Sequence, residues 1–229
     1  MIRFISTAPR LLNILALSSL VLLIFKIIEL NDIKELFNGA YELGVILETI
    51  LSSILASYIF YMVVVHLKEF KDRKYIYPLI LKWTNIVVGC CITQLREIGE
   101  ASNISIDLNN VTEQSLKTAF GKINPNNQAP LLLGFPGTYA NWIQYMLYYK
   151  RRTKSNIEKI VSQILFIESK LFSKVLDVDD CLHFSRIEEV SAMPLKNTDI
   201  SFMASSFYKY CVLCKELKGL IDVSKSKYG

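Results

Sequence analysis

The sequence predicts an all-α fold, in which an N-terminal transmembrane helical hairpin (residues 1–74) is followed by a cytosolic helical domain (residues 75–229). Three observations support this prediction. Two long apolar segments precede residue 68. Cations lie before the first segment and after the second, but are scarce in the loop between them. The rest of the chain has helical periodicity, with no alternating strand pattern of useful length.

The two apolar segments, residues 11–30 and 43–67, are each long enough to span a bilayer, because about 20 helical residues cover roughly 30 Å of hydrocarbon. A signal peptide is the competing interpretation of the first segment. It would have a shorter apolar region followed by a small-residue cleavage site. The residues that follow here are Lys26, Ile27, Ile28 and Glu29, so we expect no cleavage.

The distribution of cations predicts the orientation. The loop at residues 31–42 contains Lys34 as its one cation, together with Asp32, Glu35 and Glu42. The basic residues outside the two segments are Arg3, Arg10, Lys68, Lys71, Arg73 and Lys74. Because basic flanks stay in the cytoplasm, both termini are expected there, with the spans in a bacterial inner membrane.

Two ionisable residues, Lys26 and Glu48, lie at matching depths within the predicted spans. Lys26 either extends to the outer headgroups or meets Glu48, whose shorter side chain reaches water less easily. Glu48 shares a helix face with Gly44, Ser52 and Ala56, and small residues at this spacing allow close helix packing. The stripe predicts an interface with the first helix or with another copy. It favours a homo-oligomer with Glu48 facing its middle or a water-filled path.

Within the cytosolic part, helical periodicity and helix-terminating residues predict the elements. The expected elements are a helix at 79–100 opened by Pro78, a short helix at 111–120 ended by Gly121, a loop at 123–138, an amphipathic helix at 156–176, and a last helix from Asp199 to Gly219.

An aromatic stretch at residues 139–149 precedes a basic cluster formed by Lys150, Arg151, Arg152 and Lys154. The favoured interpretation is an ordinary buried aromatic helix with a solvated end. A helix docked on the anionic inner leaflet and a basic patch for a nucleic-acid partner are the alternatives. The four cations are therefore candidate contacts for a partner or for lipid.

Motifs for catalysis and cofactor binding are absent from the sequence. It has no phosphate loop, no dinucleotide fingerprint and only two histidines, His66 and His183. Four residues could in principle hold zinc: Cys181, His183, Cys211 and Cys214. Cys211 and Cys214 fall within a predicted helix without a knuckle turn, so buried thiols are favoured. We expect no enzymatic activity, no metal, no cofactor and no small-molecule substrate.

A short hairpin over residues 11–67 that carries a small helical domain without catalytic motifs resembles the two-transmembrane effectors of bacterial anti-phage defence systems, in particular retron-associated effectors. The resemblance implies a toxin restrained by a reverse transcriptase with its RNA–DNA hybrid. Release on infection would compromise the membrane and kill the cell before phage mature. The alternative is a membrane-anchored adaptor or sensor, whose helical domain binds a protein or nucleoprotein partner.

Overall fold

The computed structural model describes residues 8–30, 37, 39–134, 137–193 and 196–228. Helices account for 77% of the structure, which confirms the prediction of a mostly helical protein. The chain divides into two compact units, Met1–Tyr75 and Ile76–Gly229. Arg3 and the predicted loop residues Asp32, Lys34 and Glu35 lie outside the described residues.

The first unit is a pair of apolar helices. Helix α1 (Arg10–Phe25) continues as a π-helical segment, Lys26–Leu30, and α2 (Ala40–Phe60) continues as a second one, Tyr61–His66. Two helices are long and apolar enough to cross a membrane by length and composition. The first is Arg10–Glu29, with a mean hydropathy of 2.5, and the second lies in the continuous run Ala40–Ser102, with a mean hydropathy of 2.0.

Helix α3 (Leu67–Ser102) follows without a break, and Pro78 lies inside it. The prediction that Pro78 opens a new helix is therefore wrong. An interior proline removes one backbone hydrogen bond and costs about 3 kcal/mol. Tyr77 and Ile80, on either side of it, are buried, and their packing offsets that cost.

The second unit is built from helices around one core. After α3 come α4 (Glu113–Phe120), α5 (Trp142–Val161), α6 (Ser169–Asp179), α7 (Leu182–Ser191) and α8 (Ala204–Tyr228), with single 3₁₀ turns at Ile164–Phe166 and Ser201–Met203. The largest fully buried side chains include Tyr145, Tyr210, Phe120, Phe207, Leu95, Met146 and Ile160. Helix α8 passes through Gly219, where the sequence predicts its end, because Leu217 and Ile221 both pack into the core.

The structure confirms the short helix that ends before Gly121. Thr112 caps α4: its side chain accepts a hydrogen bond from the Ser115 amide, and the Ser115 hydroxyl oxygen accepts one from the Thr112 amide. This reciprocal cap uses neighbouring residues alone.

A β-hairpin occupies most of the stretch predicted as a loop at 123–138, so that prediction is wrong. Strand β1 (Gln128–Gly134) pairs antiparallel with β2 (Thr138–Asn141), and Leu132 lies opposite Tyr139. Ala129 and Ala140 are buried at its base. The strands lack regular alternation of buried and exposed positions: Leu132, Leu133 and Gly134 are all exposed, and the register is irregular.

The amphipathic helix predicted at 156–176 is two helices, because α5 ends at Val161 and α6 begins at Ser169. Ile160 in α5 and Leu171 in α6 are both buried in the same core. The apolar period therefore continues across the break. Ile164 and Leu165, in the connecting turn, are exposed instead.

Candidate functional site

The candidate site lies on the helix pair of the first unit. There Lys26, in the π-helical segment that continues α1, forms an ion pair with Glu48 of α2. The Lys26 ammonium donates to Glu48 Oε2. The Lys26 side chain is 12% exposed and the Glu48 side chain 43%. Gly44 lies beside the lysine stem, since a Cβ built there would be 3.7 Å from Lys26 Cε, an ordinary van der Waals distance. The structure thus brings Lys26, Gly44 and Glu48 together.

A second polar contact joins the opposite ends of the same two helices. The Tyr58 hydroxyl donates to Asn13 Oδ1 at 2.7 Å. Such contacts between apolar helices contribute about 0.6–2 kcal/mol each in a membrane. The two contacts together hold α1 and α2 antiparallel and define their register. Asn13 and Tyr58 were not predicted to pair, although polar residues at matching depths in the two spans were a usable signal.

The remaining stripe residues, Ser52 and Ala56, are exposed. They line a groove of ≈ 470 Å³ on α2, with Val45, Glu48, Thr49 and Ser53. The Thr49 hydroxyl donates to the Val45 carbonyl at 2.9 Å, and the Ser53 hydroxyl donates to the Thr49 carbonyl at 2.7 Å. The groove is therefore a polar strip along the exposed side of an otherwise apolar helix.

The predicted basic cluster is divided by the fold. Lys150 is buried: its Nζ donates to the Phe184 carbonyl at 2.9 Å and pairs with Glu188, so it is not available to a partner as the sequence suggested. The Lys150 ammonium also lowers the pKa of the Glu188 carboxyl. Lys154 pairs with Asp179 Oδ1 at 2.9 Å. Arg151 and Arg152 remain exposed and are the cations of this cluster most available to a partner.

The cysteines and His183 belong to the core of the second unit. Cys91 Sγ donates to Cys211 Sγ over 3.7 Å, a contact that the sequence spacing did not reveal. Burial raises the pKa of the Cys181 thiol to about 11. Across the part of the chain that the structure describes, no three His, Cys, Asp or Glu side chains are placed as a metal ion would require.

His183 packs among aromatic rings, with its ring centre 4.9 Å from that of Phe207 and its Nδ1 3.3 Å from Ser206 Oγ. Burial, aided by the nearby charges of Arg186 and Lys150, lowers its pKa to about 3. The ring is therefore neutral in the folded protein at pH 5, where most unfolded chains carry a protonated histidine with a pKa of about 6.5.

We expect the free energy of unfolding of the second unit to fall as pH decreases from about 6.5 towards 3, with this group contributing a slope of up to about 1.4 kcal/mol per pH unit. Above pH 6.5 its contribution is complete. Urea titrations of the full chain in detergent, followed by the fluorescence of Trp83 and Trp142, measure the slope between pH 7 and 5. His183→Phe should flatten it and His66→Gln should not; equal slopes in all three proteins would contradict the assignment.

Comparisons with protein-family models, with curated proteins and with solved structures find no match to this chain.

Proposed function

We propose that this chain is a membrane-embedded effector of a bacterial anti-phage system of the retron type, which compromises the inner membrane when its partner releases it. The observation that carries the proposal is the polar groove along α2, which includes Glu48, Ser52 and Ala56. A polar strip on an apolar helix needs either a covering surface or water beside it. The effector class itself comes from the resemblance in layout.

The exposure of the apolar helices supports a location in the membrane. In their most apolar stretches only 22% and 17% of the residues are buried, whereas the core helix of a soluble protein is mostly buried. Large side chains such as Leu11, Phe60 and Val63 are exposed along them. Water contact at this surface would cost about 25 cal/mol per Å². A bilayer removes that cost.

Because basic residues precede the first span and follow the second, the N- and C-termini should both face the cytosol. This topology is tested with two reporters, each fused separately to either end of the chain: alkaline phosphatase, which is active only outside the cytosol, and green fluorescent protein, which fluoresces only inside it. We expect fluorescence and no phosphatase activity from both ends. Phosphatase activity from a fusion after Gly229 would place the second unit outside and contradict the proposed topology.

The groove favours assembly of several copies. Glu48 is only partly covered by Lys26, and Ser52 and Ala56 have small side chains that allow a neighbouring backbone to approach closely. Packing this face against another copy would remove its polar atoms from lipid. In the assembly, Glu48, Thr49 and Ser53 would face the middle and line a hydrated path.

Disulfide cross-linking in bacterial membranes tests this assembly. Ser52→Cys should give dimers on mild oxidation, because it lies in the groove. Ile50→Cys is the matched control: it is also exposed, lies at nearly the same depth, and points about 200° away around the helix. The native cysteines are buried and should not react. Equal cross-linking at both positions, or none at either, would argue against an interface at the groove.

The effect on the membrane is tested by expressing the chain alone and following membrane potential with a dye. Rapid depolarisation is expected if the chain is an effector and its restraining partner, a reverse transcriptase with its RNA–DNA hybrid, is absent. One observation favours the alternative of an anchored adaptor or sensor: the Lys26–Glu48 pair neutralises the two charges within the hairpin. Normal growth and potential would support that alternative, with Arg151 and Arg152 as candidate partner contacts.

A further inference from the structure

A row of exposed lysines begins where the second apolar segment ends. Helix α3 continues from that segment without a break, and Lys68, Lys71 and Lys74 in its first turns are all exposed. At about 100° of rotation per residue, Lys68 and Lys74 lie about 60° to either side of Lys71. The three side chains therefore form one face, which we call the basic face.

The carboxylates of these turns lie away from the basic face. Asp72 is about 100° and Glu69 about 160° from Lys71 around the helix. Asp72 follows Lys68 by four residues, which is the less favourable order for an ion pair on a helix. Across the part of the chain that the structure describes, no carboxylate pairs with any of the three lysines. The basic face therefore keeps its whole positive charge.

Other lysines of the chain are placed differently. Four of them have carboxylate partners: Lys26, Lys150, Lys154 and Lys174. An exposed cation without such a partner is available to an anion outside the protein. Three of them on one helix face make an anion-binding surface.

The distance of the basic face from the bilayer follows from helix geometry. At about 1.5 Å per residue, the three lysines begin about 1.5, 6 and 10 Å beyond Leu67, the last residue of the apolar segment. The headgroup layer on each side of a bilayer is about 5–8 Å thick. Helical side chains incline towards the N-terminus of their helix, which here is the bilayer side. All three ammonium groups therefore reach the level of the lipid phosphates, and this placement requires no contact by the second unit.

We infer that the basic face binds the phosphates of anionic phospholipids in the cytoplasmic leaflet. The inference rests on the proposed membrane location of the first unit. Lysine suits this ligand, because its ammonium is a compact charge with three donors on a flexible stem. A nucleic acid or an acidic protein fits less well, because the row begins one residue after the apolar segment, at a depth that lipid headgroups already occupy.

The residues that border the basic face match the rest of a phospholipid. Leu67 and Tyr75 each lie about 40° from Lys71, on opposite sides, and they are 37% and 73% exposed. Leu67 would contact the first methylenes of the bound lipid, and a tyrosine favours the boundary between lipid and water. Each cation at this surface should raise the local concentration of anionic lipid about fivefold, which corresponds to about 1 kcal/mol.

The test compares two spin-labelled lipids around the full chain in phosphatidylcholine vesicles. Doxyl-labelled phosphatidylglycerol and doxyl-labelled phosphatidylcholine, at equal mole fractions, quench an NBD fluorophore on Val64→Cys or on Ile46→Cys. Both positions are exposed, and Val64 lies one turn before Lys68; the native cysteines are buried and should not be labelled. At position 64 the anionic lipid should quench at least about fivefold more effectively, and at position 46 the two lipids should quench equally. Salt at about 1 M, where the screening length is about 3 Å, should reduce the preference at position 64.

Two triple variants in the Val64→Cys background separate a site from net charge. Lys68→Gln, Lys71→Gln and Lys74→Gln together should bring the ratio of the two quenching efficiencies to about one, because the cations that attract the lipid are lost. The matched control is Lys159→Gln, Lys170→Gln and Lys209→Gln, which removes the same charge from exposed positions of the second unit and should leave the ratio unchanged.

The outcomes distinguish this inference from the proposed membrane location. Absence of quenching by either lipid at positions 46 and 64 would contradict the membrane-spanning proposal and, with it, the inference. Equal quenching by the two lipids at position 64 would overturn the inference alone. A preference that survives loss of the three lysines would assign it to other groups, and a preference lost in the control variant would assign it to net charge; both results overturn a site at the basic face.

Discussion

Ile160→Asp should unfold the second unit, whereas Ile164→Asp should leave it folded. Ile160 is fully buried among the core residues of α5, and Ile164 is half exposed in the turn that follows. Loss of the isoleucine side chain from a core costs about 2–5 kcal/mol, and a buried carboxylate adds several more. Together these costs approach the whole stability of a typical domain, about 5–15 kcal/mol.

The emission of Trp142 measures this effect, because Trp142 is buried in the same core and both tryptophans of the chain lie in the second unit. In detergent, Ile160→Asp should shift the emission to the red without denaturant. Ile164→Asp should keep the wild-type emission, and its free energy of unfolding should lie within about 0.5 kcal/mol of the wild-type value. Equal tolerance of both substitutions would mean that this face of α5 is not part of the core.

Glu48→Leu should lower the amount of protein in the membrane and abolish depolarisation. The substitution leaves the Lys26 ammonium, which is largely shielded by the hairpin, without its partner. A lone charge at the centre of a membrane helix costs about 2.5–3.5 kcal/mol, and less nearer the boundary. Glu42→Leu is the control, since Glu42 lies exposed in the first turn of the same helix, and we expect it to be neutral.

A double substitution separates the two roles of Glu48. Lys26→Leu combined with Glu48→Leu removes both charges and should restore the protein level, because no charge remains unpaired. It should not restore depolarisation if the carboxylate lines a hydrated path. Quantitative blotting and the potential-sensitive dye measure the two quantities in the same cells. Depolarisation by the double variant would show that the groove does not depend on Glu48 and would contradict its proposed role.

The Lys26–Glu48 pair was only partly predictable from the sequence. The residue numbers place Lys26 and Glu48 at equal depth in an antiparallel hairpin, so an ion pair between the two side chains was one of the predicted alternatives. Its formation depends on how α1 and α2 rotate about their axes, which a helical pattern does not determine. For the same reason the sequence could not show that Ser52 and Ala56, on the face of Glu48, stay exposed.

The sequence by itself determined the features that depend on composition and on near neighbours. Long apolar segments form helices wherever their environment permits, and the cap of α4 by Thr112 and Ser115 involves residues three apart. Both were predictable because the interactions concerned are local.

Only the tertiary structure decided the features that join distant parts of the chain. The burial of Lys150 depends on Phe184 and Glu188, more than thirty residues away. The break between α5 and α6 was hidden because residues on both sides of it pack into one core and so preserve the apolar period. The β-hairpin depends on pairing between strands, which leaves little trace in so short a sequence. The burial of Lys150 and the shared core of α5 and α6 follow from long-range packing, which no short stretch of sequence encodes alone. The hairpin is a local element, and its irregular register is what hides it from the sequence pattern.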